Sequence, residues 1–218
     1  MSEFGASTFP SFESLSATLS RRHWSIHGGS PPDTCHPLTG NENFCNGSNV
    51  MAERNYPCDS HIEAFFGTTD LESVGRGPFR AQLHRCMMAH ALWMKGQIEA
   101  MRSANSFGTL VRVPIRSYTA ELVEFPPTNF SVATSSFMQV WQLNENWPTG
   151  GWGLIEYGSK NNMSGQVVGG RWTPLMYLMK NSLYRDVFAS CGIVSSGAYS
   201  CYCRNDGIEP LHGTLVIK

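Results

Sequence analysis

The stretch Trp141-Gln-Leu-Asn-Glu-Asn-Trp-Pro-Thr-Gly-Gly-Trp-Gly-Leu-Ile-Glu-Tyr157 holds three tryptophans, two asparagines and two glutamates in seventeen positions. Its opening, Val140 to Leu143, is a short apolar run suited to a buried strand, and it passes at once into a polar and aromatic mixture. That combination is what a sugar site needs: flat indole faces stack on pyranose C–H groups, while Asn and Glu direct hydrogen bonds to hydroxyls. Buried tryptophan is more often core than ligand platform, so the residues alone leave both readings open.

Working outward, Phe79, Leu83, Cys86, Met87, Leu92, Met94, Ile98 and Met101 recur near helical spacing. With Pro78 near the start and Arg102 at the end, they predict one long helix after Gly75-Arg76-Gly77-Pro78. Phe107 to Leu110 reads as a buried strand. A second helix is expected from about Pro174 to Tyr184, with Leu175, Leu178, Met179 and Leu183 on one face. Beyond Asp186 the pattern is strand-like: Val187-Phe188, Tyr199 to Cys203 and Leu211 to Ile217, with Asn205-Asp206-Gly207 as a turn signal. The order suggests the end of an α/β domain joined to the start of an all-β one. The first sixty residues are rich in Ser, Gly, Pro and His, and HWSIHGGSPPDTCHPLTGNENFCNGSN reads as a long irregular excursion. His23 and His27 are four apart, but the sequence between and after them reads as a loop held by hydrogen bonds rather than as a metal site.

Composition narrows the function. Charged residues make up 15% of the 218, against about 25% in an average soluble domain, while apolar residues reach 41%. Sixteen basic residues face 17 acidic ones, which leaves no electrostatic footprint for nucleic acid or an anionic membrane. The most apolar stretch, Cys86 to Met94, is interrupted by His90 and is about half the length of a membrane span. The opening MSEFGASTFPSF lacks the basic and apolar regions of a signal peptide. Seven cysteines form neither a zinc ribbon nor a thioredoxin motif, and Cys191 can close a short loop with Cys201 or Cys203 or remain a buried thiol. Sequons at Asn46, Asn129 and Asn162 are compatible with secretion.

Several motifs carry a family resemblance. WQLNENWPTGGWGLIEYG followed by GQVVGGRWTPLMYLMK resembles the last barrel strand, its loop and the closing helix of glycoside hydrolase family 2 enzymes of the β-mannosidase and exo-β-glucosaminidase group. Ser2-Glu3-Phe4-Gly5 with Thr8-Phe9-Pro10-Ser11 is similar to the segment that carries the nucleophile of that group. HWSIHGG, RNYPCD, ALWMKGQIEAMRSANSFGTL and CYCRND fit in the same order. The resemblance implies a retaining glycosidase that cleaves a terminal β-linked sugar by double displacement. The implied fold is α/β plus β: strands seven and eight of a (β/α)8 TIM barrel over residues 1–184, then the start of an immunoglobulin-like β-sandwich over 185–218.

Residue by residue, Glu3 matches the nucleophile, and Trp141, Asn144, Glu145 and Trp152 match the strand-eight wall of the sugar pocket, with Glu145 as a substrate-binding or supporting group. Trp147 and Trp172 are read as core, and Glu156 as a loop or packing residue. Retaining chemistry needs two carboxyls about 5–5.5 Å apart. The family's acid/base glutamate lies on strand four, far upstream of the nucleophile, and the chain begins two residues before Glu3, so the expectation is a C-terminal portion without that group, inactive by itself. The implied partner is a β-mannoside or related oligosaccharide; no cofactor, metal, nucleic acid or membrane is expected, and the family implies a secreted or lysosomal setting. Exo-β-glucosaminidase activity and a non-catalytic carbohydrate-binding or truncated product are the alternatives.

One stretch departs from the family, which runs almost directly from FGTL into WQLNE. Here residues 111 to 139, VRVPIRSYTAELVEFPPTNFSVATSSFMQ, intervene. These 29 residues correspond to 87 nucleotides, opening with Val (GTN) and closing with Gln (CAG), as a translated retained intron would. A surface insertion is the alternative, although insertions enter loops rather than strands.

Overall fold

A computed structural model describes residues 3–29, 49–53, 58–104, 109–113, 119–125, 139–145, 150–157, 159–160, 167–168, 170–193, 199–206 and 209–216. Trp147, residues 107–108 of the strand expected over Phe107 to Leu110, and Gly207 of the expected turn lie outside them. The chain divides into two units, Met1–Met94 with Phe137–Tyr177, and Lys95–Ser136 with Leu178–Lys218.

The first unit is built on helices and a short parallel pair. Strand β1 (Glu3–Phe4) leads to α1 (Phe12–Leu15), α2 (Val50–Glu53), α3 (Asp59–Phe66) and α4 (Arg76–Ala104). Of the apolar positions that predict the long helix, Phe79, Leu83, Cys86, Met87, Met94 and Ile98 are buried and Leu92 and Met101 are half-buried; Phe79, Leu83 and Cys86, with Ala89, join Phe9, Phe12, Leu15, Ile26, Met51, Cys58 and Ile62 in one core. A Cys58–Cys86 disulfide, which the sequence spacing does not suggest, ties the start of α3 to α4 inside that core. The HWSIHGG stretch is irregular but held. Buried Gln82 accepts from the Ile26 N–H at 2.9 Å and donates to the Ser73 carbonyl at 3.0 Å, and the Asn49 amide donates to the Ile26 and Gly28 carbonyls. His27 pairs with Asp59 at 2.6 Å, and His23 accepts from Arg22.

Later in the chain, β4 (Gln139–Val140) pairs in parallel with β1, and the antiparallel pair β5 (Ser159–Lys160) and β6 (Val167–Val168) follows. The ladder stops at Val140 rather than continuing to Leu143, because Gln142 and Leu143 turn to bond the 152–155 loop instead. Helix α5 (Pro174–Leu178) continues as a π-helical turn, Met179–Leu183, and Leu175, Met179 and Leu183 are buried as expected. Trp172 corrects the core reading: it is 36% exposed and meets Tyr177 edge-on. It occupies the position before the N-cap and Tyr177 the fourth helical position, so the pair is a hydrophobic staple that sets how the chain enters α5.

The second unit is antiparallel. β2 (Thr109–Val113), β8 (Tyr199–Asn205) and β7 (Val187–Ile193) form one sheet in that order, and β3 (Thr119–Phe125) pairs with β9 (Leu211–Val216). Cys191 and Cys201 sit directly opposite in the β7–β8 register and are joined, whereas Cys203 is a buried free thiol whose pKa burial raises. Arg102, expected to complement the end of α4, is buried: it donates to the Leu183 and Arg185 carbonyls, pairs with Asp206 at 2.7 Å and lies 4.4 Å over the Phe188 ring.

Residues 111–113 and 119–125, within the 111–139 stretch, therefore run in ladders with β8 and β9. Sequencing spliced messages separates the two origins. Messages lacking the 87 nucleotides mark an intron, and messages that all keep them mark an insertion.

His90 on α4 is 1% exposed, and neither ring nitrogen makes a hydrogen bond of good geometry among the described residues. Burial lowers its pKa to about 4, the charge of His61 adds to this, and the Ala6 backbone acts in the opposite direction. A depressed folded-state pKa means stability held above pH 6.5 is lost as pH falls through about 4. Urea titrations at pH 7 and pH 4 are expected to show the native chain losing roughly 3 kcal/mol more than His90→Met. Equal losses would rule out buried neutral His90 as the source.

Candidate functional site

The sequence-predicted residues are brought together by the β1–β4 pair. Glu3 is in register with Gln139 and Phe4 with Val140, and the Trp141 N–H donates to the Phe4 carbonyl at 2.9 Å. Gly5 follows directly. A Cβ there would lie 2.6 Å from the Trp141 carbonyl oxygen and 3.4 Å from Trp152 Cδ1, so the exit of β1 must be without a side chain for the two tryptophan segments to close over it. The Trp141–Gln142 peptide is cis. Trp141 is 45% exposed, Asn144 is exposed and Trp152 is partly buried, so one strand end presents two indoles and an amide.

Glu145, expected as a substrate-binding or supporting group, is buried. The side chain is 3% exposed, and its Oε1 accepts from the Gly153 N–H while Oε2 has no hydrogen-bond partner among the described residues. The space it fills belongs to two missing side chains: a Cβ on Gly151 would lie 2.1 Å from Oε2, and one on Gly153 2.6 Å from the Glu145 Cγ. The Gly-Trp-Gly spacing is thus the mould of a buried carboxyl. Burial pushes the Glu145 pKa above the usual carboxylate range, the Gly153 N–H opposes this, and the nearby Glu156 charge adds to it.

Glu156 has a different task. Also buried, it accepts from the Ser11 N–H at 2.9 Å, the Ser11 hydroxyl at 2.7 Å and the Ser14 hydroxyl, with Arg171 at 3.4 Å. A carboxylate at the first turn of α1 satisfies donors that the helix leaves unpaired. With the two Thr8–Gly151 backbone bonds, it fastens the segment after β1 to the loop after β4. Sequence reading singles out neither Gly5, Gly151 and Gly153 nor Ser11 and Ser14; the GGWG pattern is the signal that points to close packing.

The hollow of about 380 Å3 beside Phe12, lined by Ser11, Glu13, Arg80, His84 and Met87 among others, lies between α1 and α4 and includes none of the tryptophans. Among the described residues no helix is long and apolar enough to cross a membrane. Comparison with protein-family models and with curated proteins finds no match to this chain.

The glycine mould makes a direct prediction. Gly151→Ala and Gly153→Ala are each expected to cost about 1–3 kcal/mol by overpacking, whereas Gly96→Ala on α4, where an added Cβ meets nothing within 4 Å, should gain about 0.5–1 kcal/mol. Chemical denaturation of the three variants checks the contrast, and three equal effects would contradict it.

Proposed function

We propose that this chain carries the strand-seven and strand-eight part of a retaining exo-glycosidase of glycoside hydrolase family 2, acting on terminal β-linked mannosides. Glu3 is the nucleophile in this reading, and Trp141, Asn144 and Trp152 form one wall of the sugar pocket. The observation that carries it is the parallel register of Glu3 with Gln139, which brings the nucleophile-like motif and the tryptophan-rich motif, some 136 residues apart, to adjacent strand ends. Neighbouring parallel strands whose C-terminal ends share a site are what a (β/α)8 enzyme requires. The exposed indole of Trp141 and the exposed amide of Asn144 supply the two kinds of contact that pyranose recognition uses.

In this reading the acid/base glutamate belongs to strand four, upstream of the nucleophile, and Glu145 and Glu156 are engaged by loop and helix N–H groups. A glycoside with a poor leaving group needs that missing acid, whereas a dinitrophenolate departs without protonation. The chain is therefore expected not to turn over 4-nitrophenyl β-mannoside, with or without Glu3→Ala. A 2,4-dinitrophenyl 2-deoxy-2-fluoro-β-mannoside is expected to add one sugar to the peptide Met1–Arg21, and Glu3→Gln to abolish the adduct. An adduct only with the corresponding glucosaminide would favour the glucosaminidase alternative. Sugar binding without any adduct would favour a non-catalytic carbohydrate-binding role, and neither binding nor adduct would overturn the glycosidase reading.

A further inference from the structure

We infer that Glu145 is a positioning residue for the proposed sugar pocket: its buried carboxyl holds the Gly151-Trp152-Gly153 turn so that the Trp152 indole stays against Gly5 on the exit of β1. The inference rests on the proposed function for its significance, but its geometry stands independently. Four observations converge on it. The carboxyl is buried in the space that side chains on residues 151 and 153 would need. Its Oε1 takes the N–H of Gly153, one residue beyond Trp152. The backbone on either side is fixed to the same loop, with the Glu145 N–H on the Ile155 carbonyl at 2.8 Å and the Gln142 N–H on the Trp152 carbonyl at 3.0 Å. Trp152 Cδ1 in turn lies within van der Waals reach of a Cβ built on Gly5, two residues after Glu3.

Removing the carboxyl leaves an empty cradle and an unpaired Gly153 N–H. Two glycines offer the backbone more conformations than any other pair; Thr8 holds Gly151 and Gln142 holds the Trp152 carbonyl, and the Glu145 carboxyl is what holds the Gly153 side of the turn. Glutamine keeps the length and an acceptor oxygen for Gly153, so it should retain most of the geometry. Alanine keeps neither. Glu145 thus acts on the sugar through Trp152 and does not touch it.

The test uses the full chain labelled with 5-fluorotryptophan, whose six fluorine resonances are assigned by single Trp→Phe changes. Glu145→Ala is expected to move or broaden the Trp152 and Trp141 resonances while those of Trp24 and Trp93 stay in place, which also reports that the core is folded. Glu145→Gln is expected to restore them. Methyl β-mannoside titrated into the same samples should bind about tenfold more weakly to Glu145→Ala than to the native chain or to Glu145→Gln. An unmoved Trp152 resonance in folded Glu145→Ala would overturn the positioning role, whatever happens to sugar affinity. A Trp152 resonance that moves in a chain whose native form binds no sugar would uphold the positioning role and overturn the sugar-pocket reading instead.

Discussion

Residues 3–14 and 139–157 are separated by more than a hundred positions, and their contact is the constraint on which the candidate site depends. Closing so long a loop costs conformational entropy that grows only slowly with length, but it must be offset by contacts at the closure itself. Three sets do this. The β1–β4 ladder joins the strand ends, the reciprocal Thr8 and Gly151 bonds continue the seam, and Glu156 binds Ser11 and Ser14 at its far end. Each set is short. Together they join the two segments within the first unit, and Thr8, Ser14, Gly151 and Glu156 are buried, where polar bonds gain strength from exclusion of water.

The seam also explains the uneven use of glycine and aromatic residues. Gly5 leaves room for the Trp141 carbonyl of the other segment, and Gly151 and Gly153 leave room for the Glu145 side chain within their own segment. Large rings stand just beyond those positions. A small residue flanked by large ones gives close backbone contact without loss of buried apolar area, and it directs the rings toward the strand end.

Much of this architecture is legible in the sequence. The period of Phe79, Leu83, Cys86 and Ile98 announces α4, and Leu175, Met179 and Leu183 announce the closing helix, because helical burial repeats locally. The site is legible as a cluster of residue types but not as a set of directions. Glu145 reads as a substrate-binding or supporting group, and the choice between the two rests on a cradle formed by residues six and eight positions further on, to which the GGWG pattern points without saying which side chain fills it. Trp172 reads as core because tryptophan is apolar; the helix start expected at about Pro174 is where α5 begins, but an edge-on contact with an exposed Tyr177 is not something an apolar residue type reports. The Cys58–Cys86 link joins two helices whose packing must be known first, whereas Cys191 and Cys201 lie in strands near enough in sequence for a short loop to be foreseen.

The HWSIHGG segment shows that irregular backbone need not be soft. The amide of Ile26 is bonded to a side chain that α4 keeps buried, that of His27 to the Leu71 carbonyl and that of Gly28 to the Ser25 hydroxyl. Three successive or nearly successive protons of a loop are thus bound as helix protons are, and their exchange with solvent requires release of Gln82 or separation of the loop from residue 71. In the currency of hydrogen exchange this loop belongs to the core, and its opening is governed by the stability of the first unit rather than by the local freedom of its glycines.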